Sequence, residues 1–169
     1  MNIQINEPGE NDEGELESLF LLTITHTFKL NKINDPEDML QEVKHQMNTF
    51  HSSEDFMLVA RIDNKIIGTI AYGKMNQSVS MNIPESLRYL KEIKGVYIHP
   101  QYQSKGIGTI LWETLLTRLK KKKVHRLCLD SGYTSSQQYW IEKLGEPTIF
   151  LKDYWRVGNH HMIWFFRIP

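Results

Sequence analysis

The stretch Ile98–Leu116, which reads IHPQYQSKGIGTILWETLL, is the most informative part of the chain. An apolar strand pattern ends at its His-Pro pair, and an amphipathic helix pattern begins at Ile107. Gly106 and Gly108 stand at this junction, although a glycine inside a helix costs roughly 1 kcal/mol relative to alanine. The unpaired N–H groups of a helix start attract phosphate, and glycine leaves room for phosphate to approach the main chain. The junction therefore predicts a phosphate site, with a plain strand-to-helix turn as the alternative.

Length and composition indicate one ordinary globular domain. The 169 residues are 40% hydrophobic and 24% charged, which predicts a single domain over residues 1–169. The lone Cys128 excludes an intrachain disulfide, and no apolar run approaches the roughly 20 residues of a membrane helix. Residues 1–12 lack the pattern of a signal peptide. These features predict a cytoplasmic protein that has no membrane partner.

The net charge of zero hides an uneven distribution. Residues 1–60 carry 12 acids and 3 bases, net −9, whereas residues 61–169 carry 8 acids and 17 bases, net +9. The asymmetry predicts that the second part handles an anion and the first part a cation. The alternative is a solvated surface with no charged partner.

The hydrophobic pattern predicts a mixed α/β (α+β) fold. The predicted strands cover residues 2–5, 56–61, 65–72, 89–99, 125–130, 148–155 and 160–168. The predicted helices cover residues 15–30, 35–48, 107–123 and 135–144. Residues 74–89 are polar and are predicted to form an irregular loop.

Two motifs resemble those of the GNAT N-acetyltransferase superfamily. Val96–Pro100 (VYIHP), a following Tyr-Gln pair and Gly106–Gly108 (GIG) resemble the superfamily's acetyl-coenzyme A signature, and Glu142–Gly145 (EKLG) resembles a second motif. Residues 90–145 carry the resemblance. It implies a GNAT-like domain: a mixed, mostly antiparallel sheet of about six to seven strands, flanked by about four helices, with two central strands that splay apart. It also implies acetyl-CoA as cosubstrate and an amine as acceptor.

The resemblance further implies which residues hold acetyl-CoA. Main-chain groups of Val96 and Ile98 would bind the pantetheine arm where this strand and the strand at 125–130 splay apart. The pyrophosphate would be held by the backbone amides of the loop and helix start formed by Gln103, Ser104, Lys105, Gly106, Ile107 and Gly108. The basic second part of the chain would then face an anionic cosubstrate.

Acetyl transfer to an amine needs a base, because a lysine-type amine with a pKa near 10.4 is mostly protonated at neutral pH. Glu92 is the candidate base. It lies four residues before Val96, and a period of two would put both residues on one face of a regular strand. The histone-acetyltransferase branch of the superfamily has a carboxylate base at the matching position. The alternatives are a surface glutamate beside two lysines, and a β-bulge that breaks the alternation.

The departing thiolate needs a proton, and here the chain departs from the superfamily pattern. Ile141 stands where relatives have the thiolate-protonating tyrosine, four residues before the glycine of Leu-Gly. Tyr139 is the candidate acid and Tyr133 the next one, with water as the alternative. Tyr139 precedes Ile141 by two residues, which turns it by roughly 200° to another helix face.

Three functions are compatible with the sequence: an N-acetyltransferase, a catalytically silent acyl-CoA-binding sensor favoured by Ile141, and a nucleic-acid-binding protein that uses the basic run at 118–126. The acidic first part indicates a cationic amine as acceptor, and a homodimer is compatible with the chain.

No metal site is predicted, because the neighbouring His160 and His161 point to opposite faces of a strand.

Overall fold

The computed structural model describes residues 2–169. The strands are β1 (Gln4–Asn6), β2 (Phe56–Ile62), β3 (Lys65–Gly73), β4 (Lys91–Ile98), β5 (Arg126–Ser131), β6 (Ile149–Arg156) and β7 (Asn159–Arg167). The helices are α1 (Glu13–Leu30), α2 (Pro36–His51), α3 (Gln77–Ser80), α4 (Ile107–Lys121) and α5 (Thr134–Leu144). None of the helices in the described residues is long and apolar enough to cross a membrane.

The seven strands form one mixed sheet in the order β1-β2-β3-β4-β5-β7-β6. All neighbouring strands are antiparallel except β4 and β5, which are parallel. This architecture confirms the predicted fold class. The difference is the four-residue helix α3, which lies in the segment predicted to be an irregular loop.

Short-range interactions fix where several helices and strands begin or end. Asp35 caps α2 by accepting a hydrogen bond from the N–H of Asp38 at 3.0 Å, and Pro36 is the first helical residue. Asp63 and Asn64, with φ values of 50° and 63°, form the tight turn between β2 and β3. These short-range interactions fix the connections on which the sheet is built.

The sheet is covered on both faces, and each face has its own hydrophobic core. Leu58 of β2 belongs to the core beneath α4 and α5, together with Leu111 and Leu115 of α4. Its neighbour Val59 belongs to the core beneath α1 and α2, together with Phe20 of α1. The alternation along β2 is that of a strand buried on both sides.

The strands β4 and β5 separate soon after they meet. Their parallel pairing covers only Lys91–Ile93 against Leu127–Leu129. Beyond Ile93, the β4 residues up to Ile98 pair with β3 alone, so the edge of β4 that faces β5 has no strand partner among the described residues. The predicted splay of two central strands is therefore present.

β4 also carries a β-bulge at Gly95 and Val96. The register with β3 shifts between Thr69 and Ala71, so that two residues of β4 oppose one residue of β3. Gly95 has a φ of +61°, in the left-handed region that favours glycine, and a Cβ there would lie 3.0 Å from Gln46 Oε1. The bulge thus requires the glycine on both conformational and spatial grounds.

The bulge changes which side of the sheet the later β4 side chains face. Glu92 pairs with Cys128, whose side chain packs beneath α3 on the α1–α2 face of the sheet. Val96 and Ile98 pack against the core on the α4 face. The prediction that Glu92 and Val96 share one face is wrong, because the extra residue at the bulge shifts the alternation by one.

Candidate active site

A cavity of about 870 Å³ lies at the gap between β4 and β5, and residues from both faces of the sheet line it. On the α4 face it is lined by the loop after β4 and by the first residues of α4. On the other face it is lined by α1, α2, α3 and the hairpin of β6 and β7. The predicted site residues that line it are Val96, Ile98, Gln103, Ser104, Gly106, Ile107, Gly108 and Tyr139. Glu92 and Lys105 lie outside the cavity wall that residues 2–169 form.

The loop before α4 turns its backbone toward the cavity. Ser104 and Gly106 both have left-handed conformations, with φ values of 58° and 81°. Gln103 anchors the loop to the strand, because its Nε2 donates to the carbonyl oxygen of Ile98 at 3.1 Å. Successive residues in such alternating conformations gather their N–H groups into a concave anion site, which the dipole of α4 strengthens. Lys105 instead places its Nζ over the ring of Tyr102 at 5.3 Å.

The two glycines of the loop have different roles. Gly106 is the N-cap of α4, and its positive φ is the reason for glycine there, since a Cβ would meet nothing within 4 Å. A Cβ at Gly108 would lie 3.8 Å from Tyr139 Oη and 4.0 Å from Ile98 Cγ1, which are ordinary contacts. Gly108 therefore keeps the cavity wall open rather than relieving backbone strain.

Gly106→Ala is expected to lower the free energy of unfolding by about 1–2 kcal/mol, the cost of a left-handed conformation for a residue with a Cβ. Chemical denaturation measures this change, with Gly108→Ala as the matched control because its φ is ordinary. Equal stabilities of the two variants would show that the loop does not hold Gly106 in this conformation.

Two carboxyl groups lie together behind the gap between the strands. Glu92 is fully buried and accepts hydrogen bonds from the backbone N–H of Asn76 at 2.6 Å and from Asn76 Nδ2 at 3.1 Å. Asp130 is the first β5 residue beyond the pairing with β4, and it lines the cavity. Burial, followed by the charge of Asp130, raises the pKa of Glu92 well above its usual value.

The carboxylate of Asp130 is contacted by the side chains of Ser78 and His161. Ser78 Oγ donates to Asp130 Oδ2 at 3.2 Å, and His161 Nε2 lies 3.2 Å from the same oxygen, although its N–H is not aligned for a full hydrogen bond. Trp155 Nε1 donates to His161 Nδ1 at 3.0 Å, which leaves the ring proton on Nε2, toward Asp130. Burial opposes the charge of Asp130, but its interactions with His161, followed by those with Glu92 and Ser78, outweigh burial and lower its pKa.

A second carboxylate group faces the cavity from α2. Glu42 Oε1 accepts hydrogen bonds from Tyr97 Oη at 2.9 Å and from Gln46 Nε2 at 2.8 Å. Asp38, one helical turn earlier, also lines the cavity and pairs with Arg156 at 3.5 Å. The α1–α2 half of the cavity is therefore acidic, in agreement with the negative charge of the first part of the sequence.

The tyrosine candidates lie on different sides of the gap. Tyr139 lines the cavity near Gly108 and Ile98 and is 39% exposed. Tyr133 packs against Phe28 of α1, on the acidic side. Ile141 packs into the α4 core. Of these three residues, Tyr139 is the one whose hydroxyl lies beside Gly108 at the start of α4.

The site residues that the sequence analysis missed are Asp130, Glu42 and Tyr97. Asp130 had a signal, since it is an acid at the end of an apolar strand next to the predicted gap. Glu42 and Tyr97 had none, because their contact joins residues 55 positions apart. Among residues 2–169, no group of three or more His, Cys, Asp or Glu side chains is arranged to hold a metal ion.

The sequence model of the acetyltransferase (GNAT) family matches residues 13–145, which include the loop and both sides of the gap. The chain belongs to the GNAT family. The resemblance seen in the motifs is thereby confirmed. A comparison with curated protein sequences found no match.

Solved structures of N-acetyltransferases share the fold. The PaiA N-acetyltransferase of Thermoplasma acidophilum, in complex with coenzyme A, has 18% identity and a TM-score of 0.69 over 97% of this chain and 99% of its own. An N-acetyltransferase of Staphylococcus aureus has 15% identity and a TM-score of 0.71 over 100% of both chains. The ribosomal-protein-S18-alanine N-acetyltransferase of Escherichia coli has 14% identity and a TM-score of 0.68 over 99% of this chain and 95% of its own.

Proposed function

We propose that this GNAT protein transfers an acetyl group from acetyl-CoA to a primary amine that carries positive charge. The observation that carries the proposal is the cavity at the β4–β5 gap. It joins the glycine loop, residues 103–108, on one face of the sheet to an acidic chamber on the other face, which is lined by Asp38, Glu42 and Asp130. A thioester held by the loop and an amine held in the chamber would meet at the gap. The solved coenzyme A complex of a protein with the same fold supports the choice of cosubstrate.

The residues present fit acetyl-CoA. In the loop from Gln103 to Gly108, the N–H of Gln103 donates to the carbonyl of Pro100, and the residues from Ser104 to Gly108 offer N–H groups at the start of α4 for the pyrophosphate. The unpaired edge of β4 from Val96 to Ile98 offers main-chain groups for the amide-containing arm, as an added strand would. Bound acetyl-CoA supplies the activated acetyl group, and the chain supplies orientation and proton transfer.

In the transfer, the amine nitrogen attacks the thioester carbonyl carbon, a C–N bond forms and the C–S bond breaks. The nitrogen gives up a proton, and the departing sulfur takes one. The pair of Glu92 and Asp130 is the candidate proton acceptor: Asp130 faces the amine, and the buried Glu92 acts behind it. Tyr139 is the candidate proton donor to the sulfur, because its hydroxyl lies by the loop at Gly108.

The acidic chamber supports a cationic acceptor. Asp38, Glu42 and Asp130 line it. Arg156 pairs with Asp38 and Lys94 pairs with Asp55, so Glu42 and Asp130 are the carboxyl groups of the chamber that lack a lysine or arginine partner among the described residues. A positively charged amine is therefore attracted to the chamber, and an anionic one is repelled.

Release of free thiol from acetyl-CoA in the presence of an amine panel tests the proposal. We expect thiol release with cationic amines that exceeds the rate without amine by at least about tenfold, and no such rise with carboxylate-bearing amines of similar size. Binding of coenzyme A with no thiol release from any amine would favour the acyl-CoA sensor, for which Ile141 at the usual tyrosine position is the supporting observation.

A further inference from the structure

The hairpin of β6 and β7 is irregular beside the cavity. Regular pairing is interrupted between Leu151 and Arg156, where residues 152–155 of β6 stand opposite a single residue of β7. Bulges redirect side chains and are frequent next to active sites. Trp155 lies in this bulge and lines the cavity, although its side chain is 51% exposed. The bulge therefore brings an indole from the outer strand of the sheet to the cavity wall.

Gly132, the residue after β5, makes room for that indole. A Cβ at Gly132 would lie 2.5 Å from Trp155 Nε1 and 3.1 Å from Trp155 Cδ1, which is too close for a side chain of any size. The indole thus lies directly on the backbone of Gly132, and both residues line the cavity. A bulge in β6 and a glycine after β5, which are distant in the sequence, serve the same placement of Trp155.

This placement brings the indole N–H to a buried imidazole. Trp155 Nε1 donates to His161 Nδ1 at 3.0 Å, and His161 is 1% exposed. A ring nitrogen that accepts a hydrogen bond carries no proton, so the ring proton is on Nε2. His161 Nε2 lies 3.2 Å from Asp130 Oδ2 and has no hydrogen-bond partner elsewhere in residues 2–169. A second proton on the imidazole would have to displace Trp155 from Nδ1.

The charge of His161 decides whether Asp130 has a cationic partner. The other polar and titratable groups around these two side chains come from four elements: Ser78 of α3, Glu92 and Tyr97 of β4, Tyr133 at the start of α5, and Tyr154 of β6. None of these groups is a cation. In the described part of the chain, no lysine or arginine nitrogen lies within 4.0 Å of Asp130.

We propose that Trp155 and His161 are positioning residues for proton transfer: Trp155 occupies Nδ1 of His161, so that the imidazole gives Asp130 one N–H and no positive charge. A cation beside a carboxylate lowers the pKa of the carboxyl group by about 1–3 and makes it a weaker base. An uncharged N–H orients the carboxylate with a smaller loss of basicity. The role given to Asp130 rests on the proposed function, whereas the hydrogen-bond chain can be tested without turnover.

Nitrogen-15 NMR of His161 tests the chain in the protein alone, because ring nitrogens with and without a proton differ in chemical shift. At about pH 6, near the usual pKa of histidine, we expect one ring proton in the wild type and two in Trp155→Phe. Gly132→Ala is expected to give the same result as Trp155→Phe, because its Cβ would displace the indole. Tyr154→Phe is the matched control on β6. Its hydroxyl accepts from Asn82, so we expect wild-type protonation of His161.

Turnover gives a second readout, which a purely structural role would not produce. In Trp155→Phe we expect a kcat about three- to tenfold below that of the wild type at about pH 6, with an unchanged KM for acetyl-CoA. Above about pH 8, where the added proton is lost, kcat should approach the wild-type value. His161→Gln supplies an amide N–H but cannot take a proton, so Trp155→Phe should have no additional effect in that background. His161→Gln also identifies the NMR signals of His161.

Two results would overturn this role of Trp155: a single ring proton on His161 in folded Trp155→Phe protein at about pH 6, or an equal loss of kcat at every pH. Circular dichroism establishes folding. If Trp155→Phe and Gly132→Ala add the second proton and Tyr154→Phe does not, while no amine releases thiol, the hydrogen-bond chain is supported and the proposed function alone fails.

Discussion

Gly108→Glu is expected to weaken coenzyme A binding by more than about a hundredfold in a protein that still folds. The new carboxylate would lie at the start of α4, where the cofactor pyrophosphate is proposed to bind. Two unit charges 4 Å apart at an effective dielectric constant of about 20 repel by about 4 kcal/mol, which corresponds to more than a hundredfold in affinity. Calorimetric titration with coenzyme A measures the change.

Gly108→Ala is the control that separates charge from shape. Its Cβ would meet only Tyr139 Oη at 3.8 Å and Ile98 Cγ1 at 4.0 Å, so we expect a folded protein that loses far less coenzyme A affinity than Gly108→Glu does. Circular dichroism establishes whether each variant is folded. A folded Gly108→Glu protein with wild-type affinity would contradict the proposed position of the pyrophosphate.

Tyr139→Phe is expected to lower turnover by about 10²-fold at saturating acetyl-CoA, with little change in coenzyme A affinity. The substitution removes a single hydroxyl from the cavity wall, and a positioned proton donor typically contributes about 10²-fold or more. The ring, which packs edge-on against Trp140, stays in place. Steady-state thiol release gives the rate.

The matched control is Tyr89→Phe, because Tyr89 is 67% exposed and lies outside the cavity. If Tyr139→Phe turns over within about twofold of the wild type, Tyr139 does not protonate the sulfur. Tyr133→Phe is then the next variant, although Tyr133 lies on the acidic side of the gap.

The fold could be predicted to the extent that its signals are local. Alternating and helical periodicity located every strand and the four longer helices. In the structure, Asp35 and Gly145 cap two of these helices. Helix α3 escaped, because four residues are too few to show a helical period. It is held by tertiary packing of Val79 against Cys128 and Ile163, contacts that no local pattern reveals.

The face of Glu92 could not be predicted, because it depends on a bulge. One additional residue in β4 relative to β3 reverses the alternation, and the glycine that accompanies it, Gly95, is equally typical of a sharp bend or of a close backbone approach. The arrangement of strand, glycine loop and helix start was easier to predict, because these three parts are contiguous in the sequence. The acidic chamber is instead assembled from α2, β4 and β5. The contact between Glu42 and Tyr97 therefore could be recognised only from the three-dimensional structure.

The short junction between β4 and β5 has a mechanical consequence. The sheet consists of a four-stranded part, β1–β4, and a three-stranded part, β5–β7, which are paired with each other through only three residues on each strand. A cosubstrate arm that lies in the gap would act as an additional strand and join the two parts beyond that junction. By mass action, a ligand at 100 times its dissociation constant adds about 2.7 kcal/mol to the folded state. The resistance of the protein to heat and proteolysis would then follow the acetyl-CoA level of its surroundings.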